Sequence, residues 1–511
     1  MTEDPFDNLA NVWRRAVAAF PHKVAAVDAG NAFSYAECDS LSNRLHHALT
    51  EQLGYRKGDV LAVAAPNGIE YVTAFWAAMK SGGMIAPMNV RLGSGELRHI
   101  IDHSTARVLI LHHACHAAVK DVLPECPSIR HVISVGYEDS DTLPYDRLLA
   151  EAAADPLPVD VSRDDPAVIM YTSGTTGQPK GAIMRHGDLL FNNRVARLAH
   201  GLRRDDVHLL AIPMFHPTAL YSLVPTSAHL GSTLVLAPNP NPSELAELMR
   251  THGVTTFFAV PSLLQLFAAQ KDLPSYGLGQ TLRLIAYSGS RMPVETVERL
   301  RALFPNARLN NFFGLTETLS MTHVLPSADA VSRPDCIGKV LPDVRQRILD
   351  EQGHDAAPGE VGELHFHRDN VIPGYWRERE RLAQSMHGDW FNTGDCATMD
   401  ADGYVTLKGR TKDMMIVGGE NVYSLEVEQC IMGHDQVADV GVVGVPATGM
   451  RAHLGELVKA VVAPRPGAIL TVPDIKRHCM ERLATYKVPQ IIEFREHLPR
   501  NAAGKLLRRK L

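Results

Sequence analysis

The chain has 511 residues, 51 basic and 57 acidic side chains and a formal net charge of −6. Hydrophobic residues make up 45% and charged residues 21%, the composition of an ordinary globular protein with enough apolar material for a large core. Because the two signs of charge are mixed, neither a nucleic-acid surface nor a polybasic membrane patch is expected. The seven cysteines contain no Cys-x-x-Cys pair, so a disulfide framework is not expected and a reducing, cytoplasmic location fits better.

The start of the sequence, MTEDPFDN, is acidic and unlike the basic beginning of a secretory signal. Since there is also no run of 18 apolar residues, no membrane span is expected. The stretch His112, His113, Cys115 and His116 contains residue types that bind metals, but no second cluster nearby would complete a tetrahedral zinc site. We interpret this stretch as a loop at the end of a strand.

Short apolar runs that predict buried strands alternate with helical patterns over most of the chain. The runs are VLAVAAP, MIAPMN, ARVLIL, HVISV, AVIMY, HLLAIP, STLVLAP, TTFFAV and LRLIAY. After the first run, one predicted helical face carries Ile69, Val72, Phe75, Trp76 and Met79, and Gly82 and Gly83 end the pattern. Such alternation predicts an α/β fold with layered, largely parallel sheets. After about Gly409 the elements shorten and turn signals come closer together, which predicts a small α+β domain.

Residues 170 to 182 read MYTSGTTGQPKGA, which predicts a strand followed by a loop of small residues. The loop combines glycines at 174, 177 and 181, hydroxyls at Thr172, Ser173, Thr175 and Thr176, and the cation Lys180. Glycine backbones, hydroxyls and a lysine suit a chain of phosphate oxygens. A Walker A loop needs Gly-Lys followed by Ser or Thr, whereas Lys180 lies between Pro179 and Gly181. The stretch alone therefore indicates either another kind of phosphate loop or a plain surface loop.

The segment YTSGTTGQPKG closely resembles the phosphate loop of the adenylate-forming superfamily, which comprises acyl-CoA synthetases, peptide-synthetase adenylation domains and luciferases. Nine further segments resemble motifs of that family: FSYAE (33–37), KGD to RLGSGEL (57–97), PMFHP (213–217), YSGSRMP (287–293), NNFFGLTE (310–317), FNTGD (391–395), GRTKD (409–413), GGENVYSLEVE (418–428) and PRNAAGK (499–505). They occur in the family's order and span nearly the whole chain. Together they are far more specific than any one of them.

The resemblance implies that the protein activates a carboxylic acid with ATP to an acyl-adenylate and then transfers the acyl group to coenzyme A. ATP, Mg²⁺, coenzyme A and a small carboxylic acid would be its partners. The attacking carboxylate and the α-phosphate are both anionic, so cations and N–H donors must gather at the phosphorus. The family's organisation implies an adenylation domain over residues 1–409, a hinge over 410–412 and a small mobile domain over 413–511.

The resemblance also implies which residues are catalytic: Lys505, Glu317, Thr316 and His216. Lys505 would reach the α-phosphate, and Thr316 would donate to it. Glu317 and Thr176 would hold Mg²⁺, because a hard cation prefers oxygen ligands. Without the motifs, Lys505 would be interpreted as a solvated tail lysine and the pair Thr316–Glu317 as a helix N-cap with a first-turn acid.

Contacts to the nucleotide and to coenzyme A are implied for a larger set. It comprises Thr172, Ser173, Gly174, Thr175, Thr176, Gly177 and Lys180 at the phosphates; Ser288, Gly289, Ser290, Asn311, Phe312, Phe313 and Gly314 around adenine; Asp395 and Arg410 at the ribose; Lys412 at the hinge; and Gly418, Gly419 and Glu420 on the thiol path. A carboxylate such as Asp395 has enough lone pairs to accept from both ribose hydroxyls. The alternatives are a turn aspartate, a surface arginine and a plain tight turn in GGEN.

The identity of the carboxylic acid is harder to predict from the sequence. His216 stands where peptide-synthetase domains tend to carry an aspartate for an amino group, so an α-amino acid is not expected. Histidine there is usual in acyl- and aryl-CoA ligases, and a hydrogen-bonded core histidine is the alternative. Phe312 stands where some aryl ligases have glycine, and Arg291, expected to face solvent, replaces a common proline. The pocket neighbours are expected to be Pro217, Thr218, Met321, Thr322 and His323, which suggests a medium-sized, partly polar acid.

Three hypotheses therefore stay open. The first is an acyl-CoA ligase, which GGENVYSLEVE and the lack of a fused carrier domain favour. The second is an adenylating enzyme that passes its acyl group to a carrier protein, an amine or another nucleophile. The third is a catalytically silent nucleotide binder, against which the presence of Lys505, Glu317 and Asp395 argues. Luciferase-like oxidation has no signal in the sequence, and a homodimer is left open.

Overall fold

The computed structural model describes residues 7–172, 178–239, 241–418, 420–448, 451, 454–501 and 506–511. The α-helices are α1 (Leu9–Ala19), α2 (Tyr35–His47), α3 (Ile69–Ser81), α4 (Ser94–Ser104), α5 (His113–Val119), α6 (Tyr145–Ala150), α7 (His186–His200), α8 (Val224–Leu230), α9 (Pro242–His252), α10 (Pro261–Ala269), α11 (Val294–Leu303), α12 (Arg379–Ala383), α13 (Ser424–Met432) and α14 (Val472–Met480). The strands are β1 (Val24–Asp28), β2 (Asn31–Ser34), β3 (Val60–Ala64), β4 (Met84–Pro87), β5 (Ala106–His112), β6 (His131–Val135), β7 (Leu143–Pro144), β8 (Pro166–Thr172), β9 (Lys180–Arg185), β10 (Val207–Leu210), β11 (Thr233–Leu236), β12 (Thr256–Ala259), β13 (Leu284–Tyr287), β14 (Arg308–Leu315), β15 (Ser320–Leu325), β16 (Cys336–Val340), β17 (Gln346–Leu349), β18 (Gly362–His367), β19 (Met386–His387), β20 (Trp390–Met399), β21 (Val405–Arg410), β22 (Met414–Val417), β23 (Glu420–Tyr423), β24 (Val437–Pro446), β25 (Glu456–Pro464) and β26 (Ile491–Phe494).

The chain forms two compact units. The larger unit comprises Met1–Arg345 and His367–Asp389, and the smaller unit comprises Gln346–Phe366 and Trp390–Leu511. The smaller unit thus contains two segments that the motif-based division assigned to the first 409 residues. The predicted hinge at residues 410–412 describes a movement of the small domain, and it stays a prediction.

Two sheets form the larger unit, and most of their strands are parallel. One sheet has the strand order β7, β6, β5, β3, β4, β8, β9, in which β3 pairs in parallel with β4 and β5. In the other, the order β2, β1, β11, β10, β12, β13, β14, β15, β16 contains parallel pairs from β1 to β14. The predicted α/β layering is confirmed, as is a strand at each of the nine apolar runs. Parallel strands bring their carboxyl ends to one edge, where ligand sites of such sheets lie.

Helix α3 is more deeply placed than an amphipathic pattern predicts. Every residue from Tyr71 to Ser81 is buried, so the helix has no solvent face along that length. Gly82 ends it with φ +67°, a left-handed conformation that glycine adopts without steric cost. The buried Lys80 ammonium is paired with Asp39 at 3.0 Å, as a charge inside a protein requires.

The histidine-rich stretch after β5 is helical, and its interpretation as a loop was wrong. Helix α5 begins at His113, directly after the strand. The Ala114 N–H donates to His112 Nδ1 at 3.1 Å, so the imidazole caps the first turn. This capping contact stabilises the helix. The helix is too short for the periodicity of its residues to predict it.

The smaller unit combines antiparallel strands with two helices. Strands β20 and β21 form a hairpin, β22 and β23 form a second, and β24 pairs antiparallel with β25, which pairs in parallel with β26. Helices α13 and α14 contribute Val427, Ile431 and Ile475 to a fully buried apolar cluster with the strands. The predicted small α+β domain is confirmed. Within the described ranges of both units, every helix is too short or too polar to cross a bilayer.

Candidate active site

Part of the predicted site cannot be placed. The residues Ser173, Gly174, Thr175, Thr176, Gly177, Gly419 and Lys505 lie outside the described part of the chain. The remaining predicted residues divide between the larger and the smaller unit, and each group is described within its own unit.

The two ends of the predicted phosphate loop are held side by side. Thr172 is the last residue of β8 and Lys180 is the first of β9, and the two are partners across the antiparallel ladder. On its other side, β9 bonds to a segment near residue 375, because the Trp376 N–H donates to Gly181 O at 2.7 Å. The loop thus leaves and re-enters one rigid sheet edge.

Lys180, Tyr375 and Glu317 form a continuous polar group in the larger unit. The Lys180 ammonium lies 5.3 Å from the centre of the Tyr375 ring, within cation–π range. The Tyr375 hydroxyl donates to Glu317 Oε1 at 2.9 Å. Burial and the Glu317 carboxylate raise the pKa of Tyr375, so the phenol keeps its proton at neutral pH. Burial and the Arg381 guanidinium lower the pKa of Lys180, while the Glu317 and Glu378 carboxylates act in the opposite direction.

Glu317 lies in a single 3₁₀ turn, Thr316–Thr318, that follows the carboxyl end of β14. Leu315 is the N-cap residue, so Thr316 does not cap this turn, contrary to the alternative interpretation. The turn is closed by the Leu315 N–H, which donates to Thr318 Oγ1 at 3.0 Å. From the other side the Ile372 N–H donates to Glu317 O at 2.9 Å, so both backbone and side chain of Glu317 are fixed.

The two segments predicted around adenine meet at the carboxyl ends of β13 and β14. Tyr287, which precedes Ser288, is the ladder partner of Asn311. Gly289 has φ +91°, a conformation that disfavours any side chain, and both Gly289 and Ser290 are exposed. A backbone-rich edge of this kind allows a flat ligand to approach closely.

Phe312 and Phe313 point to opposite faces of β14, because side chains alternate along a strand. Phe312 is buried, and its ring packs edge-on against those of His200 and Phe258, with centroids at 5.4 and 6.2 Å. Phe313 is only partly buried and lies edge-on to His323 at 5.9 Å. The structure therefore brings Asn311 and Phe313 to one face and directs the side chain of Phe312 to the other.

His216 lies in the loop after β10, directly before a π-helical segment, Thr218–Leu223. The surrounding protein lowers its pKa to about 4, so the imidazole is neutral at pH 7. The residue nevertheless keeps exposed surface. The Thr218 N–H donates to His216 Nδ1 at 3.2 Å, which places the ring proton on Nε2. His216 is therefore a neutral N–H donor.

Several predicted pocket neighbours form buried polar contacts. The side chains of Thr322 and His323 meet at 3.0 Å between Oγ1 and Nδ1. Nearby in the same unit, the Ser222 hydroxyl donates to Asn192 Oδ1 at 2.8 Å, and the Asn192 amide donates to Leu319 O. Arg291 pairs with Asp335 at 2.8 Å in a partly exposed position, so its charge is already matched.

In the smaller unit, Asp395 and Arg410 form an ion pair. They are ladder partners on β20 and β21, and Arg410 Nε lies 2.9 Å from Asp395 Oδ1. The aspartate side chain is 8% exposed and the arginine side chain 31%, so the pair opens to solvent on the arginine side. The Asp395 N–H donates to Thr393 Oγ1 at 3.1 Å, which fixes the backbone. This rigidity argues against an unconstrained turn aspartate.

The remaining residues predicted for the hinge and the thiol path lie farther along the same unit. Lys412 is in a 3₁₀ turn, Thr411–Asp413, where burial lowers its pKa and the Asp413 carboxylate opposes that effect. Gly418 is in the turn between β22 and β23, and its N–H donates to Leu454 O at 2.8 Å. Glu420 is exposed at the start of β23.

Sequence reasoning missed Tyr375, which lies 58 residues from the carboxylate it contacts. The available signal was the dipeptide Pro373-Gly374, which marks a loop and is followed by two aromatic residues. Within the described ranges, no group of three His, Cys, Asp or Glu side chains could hold a metal ion. Mg²⁺ is commonly held by one or two carboxylates together with substrate phosphates, and Glu317 fits that pattern.

Comparisons with known proteins show the family to which the chain is similar. Residues 13–376 match the model of the AMP-binding enzyme family, and residues 426–505 match that of the AMP-binding enzyme C-terminal domain. A feruloyl-CoA synthase of Amycolatopsis sp is 34% identical over 490 residues, which are 96% of this chain and 95% of that protein. A fatty acid–[acyl-carrier-protein] ligase, ScoC of Streptomyces coeruleorubidus, is 32% identical over 96% of this chain and 93% of its own length.

The fold is also similar to that of solved structures. The o-succinylbenzoate coenzyme A synthetase MenE of Bacillus subtilis, in complex with ATP and magnesium ion, has a TM-score of 0.85 and 27% identity. The match covers 98% of this chain and 98% of that one.

Proposed function

The chain belongs to the AMP-binding enzyme family, and on that premise we propose that it is an AMP-forming acyl-CoA ligase. It joins a carboxylic acid to the α-phosphate of ATP, releases pyrophosphate, and passes the acyl group from the adenylate to coenzyme A. The observation that carries this proposal is the contiguous group Lys180, Tyr375 and Glu317 at the base of the phosphate loop. It provides a cation and an oriented carboxylate where a triphosphate needs both.

Glu317 is the residue that would hold Mg²⁺. A carboxylate has about four lone-pair sites, and the Tyr375 hydroxyl occupies one of them, so capacity for a cation remains. When bound, the ion neutralises phosphate charge as an acid attacks the phosphorus. Tyr375 fixes the rotamer of Glu317, and Lys180 binds phosphate oxygens from the loop side.

His216 is proposed to orient the carboxylate of the acid. Because its imidazole is neutral with the proton on Nε2, it can donate a hydrogen bond without forming an ion pair that would weaken the nucleophile. His216 is exposed, which leaves that N–H accessible to a small ligand. A protonated histidine would instead bind the carboxylate more tightly and lower its nucleophilicity.

Asp395 is proposed to accept from the ribose hydroxyls of ATP. Arg410 orients the aspartate through one carboxylate oxygen, and the remaining lone pairs can accept from a diol. The adenine would lie along Ser288–Ser290, against the face of β14 that carries Asn311 and Phe313.

Lys505 is proposed to complete the charge at the α-phosphate, and the smaller unit anchors the chain on both sides of it. Arg500 pairs with Asp439 through both carboxylate oxygens at 2.9 and 2.7 Å. On the other side, Arg508 pairs with Glu428 at 2.9 Å and with Asp413 at 3.3 Å. These anchors would let the predicted hinge at 410–412 carry the lysine in and out as one body.

Coenzyme A is proposed as the acceptor because GGENVYSLEVE resembles the thiol-path motif of acyl-CoA synthetases. A carrier protein is the second candidate, since one relative is named as a ligase for an acyl-carrier protein. For the acid we propose a medium-sized, partly polar molecule, because the predicted pocket neighbours include the polar side chains of Thr322 and His323, which contact each other at 3.0 Å.

The test is a panel of aryl, short, medium and polar carboxylic acids in ATP–pyrophosphate exchange. At least one acid should give exchange well above the acid-free rate. That acid is then supplied with coenzyme A, a phosphopantetheinylated carrier protein, hydroxylamine or amines, and products are identified by mass spectrometry. Formation of the acyl-CoA alone supports the acyl-CoA ligase, and transfer only to the carrier protein supports the second candidate. If none of the acids raises exchange above the acid-free rate, both candidates are refuted.

A further inference from the structure

Two histidines lie side by side on one face of helix α4, next to the phosphate loop. His99 and His103 are four residues apart, a spacing that places side chains on the same helical face. Their rings stack with centroids 5.1 Å apart and an interplanar angle of 22°. Both residues follow the segment RLGSGEL (91–97), and neither belongs to a segment that carries the family resemblance.

Each histidine bonds to one end of the loop. His99 Nε2 lies 3.0 Å from Pro179 O, and since a carbonyl only accepts, the histidine donates. His103 Nδ1 lies 2.8 Å from the Tyr171 hydroxyl. The Tyr171 ring lies edge-on to both imidazoles, at 6.5 and 5.9 Å between centroids.

The two contacted residues are the ones directly before the loop's first and last predicted phosphate contacts. Tyr171 precedes Thr172, Pro179 precedes Lys180, and Thr172 and Lys180 are ladder partners. We infer that His99 and His103 are positioning residues that hold both ends of the phosphate loop in place for ATP. This inference rests on the proposed function, because it assigns the pair a role in binding the nucleotide.

The surroundings of His103 favour its neutral state. Burial lowers the pKa of His103, with His99 and Arg377 acting in the same direction and Glu378 and Asp102 opposing them. Neutral His103 can accept the Tyr171 O–H at Nδ1, and that acceptor is lost on protonation. Because the folded-state pKa of His103 lies below its usual value of about 6.5, the contact persists at about pH 6.5 and above and is lost as pH falls through that lowered pKa.

The alternative is that the pair only fills space. Four variants separate the two roles. His99→Met and His103→Leu keep apolar volume and remove the donor and the acceptor, whereas His99→Gln and His103→Asn keep a polar atom at the same place. A packing role predicts that Met and Leu are tolerated at least as well as Gln and Asn, and a positioning role predicts the reverse.

The experiment measures KM for ATP and for the acid in ATP–pyrophosphate exchange, with ATP affinity by calorimetry and thermal melting alongside. We expect His99→Met and His103→Leu to raise KM for ATP about three- to tenfold, the effect of one lost hydrogen bond, with KM for the acid within about twofold. His99→Gln and His103→Asn should restore most of the ATP affinity. The wild-type ATP affinity should also weaken below about pH 6.5, and less so in His103→Asn.

The matched control is His116→Met. His116 lies on the neighbouring helix α5 and contacts the Tyr137 ring at 4.7 Å, away from the loop ends, so KM for ATP should not change. Unchanged ATP affinity in all four variants, or an equal rise of KM for the acid, would overturn the inference. If no acid supports exchange, the proposed function fails, and the calorimetric ATP affinity still decides the role of the pair.

Discussion

The Tyr375 hydroxyl donates to Glu317 Oε1 at 2.9 Å and joins two loops of the larger unit that are 58 residues apart in the chain. The same tyrosine lies under the Lys180 ammonium at 5.3 Å. One aromatic residue thus connects the cation at the base of the phosphate loop with the carboxylate proposed to hold Mg²⁺. Its position suggests that Tyr375 fixes the distance between these two charges before ATP binds.

Tyr375→Phe should therefore weaken adenylation while it preserves the ring beneath Lys180. Loss of a hydrogen bond to a charged group removes about 1.5–3 kcal/mol, so kcat/KM for ATP–pyrophosphate exchange should fall about ten- to a hundredfold. The Mg²⁺ concentration for half-maximal exchange should rise as well. The control is Tyr276→Phe, a change at a tyrosine elsewhere in the larger unit. Equal Mg²⁺ dependence of exchange in the wild type, Tyr375→Phe and Tyr276→Phe would contradict the role of Tyr375.

Asp395→Asn should impair nucleotide binding more than turnover. The amide keeps the shape of the side chain but lacks the charge that pairs with Arg410 and one acceptor for the ribose. KM for ATP should rise about tenfold or more, with a smaller change of kcat at saturating ATP. Asp402→Asn, in the turn at the other end of the same hairpin, should behave as the wild type. A variant that loses kcat with unchanged ATP affinity would refute a ribose contact.

Lys505→Ala should abolish acyl-adenylate formation and spare thioester formation from supplied acyl-AMP. Removal of one donor to a developing charge costs on the order of 3 kcal/mol, about a hundredfold in rate, and a full charge can cost more. Lys510→Ala, in the same tail, is the control. Equal loss of both half-reactions in Lys505→Ala would argue against a mobile unit that presents the lysine only for the first step.

Lys412→Pro should affect the two half-reactions unequally, because proline restricts the backbone of the proposed hinge. Both are measured separately, as acid-dependent pyrophosphate exchange and as acyl-CoA formation from acyl-AMP. Lys412→Ala keeps backbone freedom and should show smaller, balanced effects. Identical behaviour of the alanine and proline variants would contradict a hinge at this residue.

Stability of the smaller unit should fall as pH rises, in part through Glu428. Burial raises the pKa of Glu428 to about 7, and the Arg508 guanidinium opposes this effect. A folded-state pKa above the unfolded value means that the stabilising contribution is complete below about pH 4.5 and is lost as pH rises toward 7. Glu428→Gln should therefore gain stability relative to the wild type between pH 5 and pH 8, by up to roughly 3 kcal/mol. A difference in unfolding free energy that does not vary with pH would contradict this.

The sequence predicted what depends on local pattern. Continuous apolar runs identified β3, β5, β8 and β13 because strands covered on both faces need no polar side. In the structure β13 and β14 pair in parallel, with Tyr287 opposite Asn311. The face of Phe312 was not predicted, because the motif grouped it with Asn311 and Phe313, whereas its ring packs against His200 and Phe258. Boundaries set by one side-chain cap, as at His112, carry almost no periodic signal.

The parts that sequence reasoning missed are contacts between distant segments. Tyr375 meets Glu317, and His99 meets Pro179, only because the sheets bring separate loops to one edge. No local propensity encodes such a meeting, since each residue by itself is an ordinary loop or helix residue. The same holds for the ion pairs of Arg508, which depend on the path of the last residues of the chain.

The central claim is that the acid attacks the α-phosphate of ATP, and oxygen transfer tests it most directly. The acid that supports exchange is labelled with ¹⁸O in its carboxylate and converted to acyl-CoA with unlabelled ATP. Attack at the α-phosphorus followed by thiol transfer leaves one carboxylate oxygen on AMP, so mass spectrometry should find one ¹⁸O per AMP and none in pyrophosphate. Label in pyrophosphate or inorganic phosphate, or AMP without label, would contradict the account.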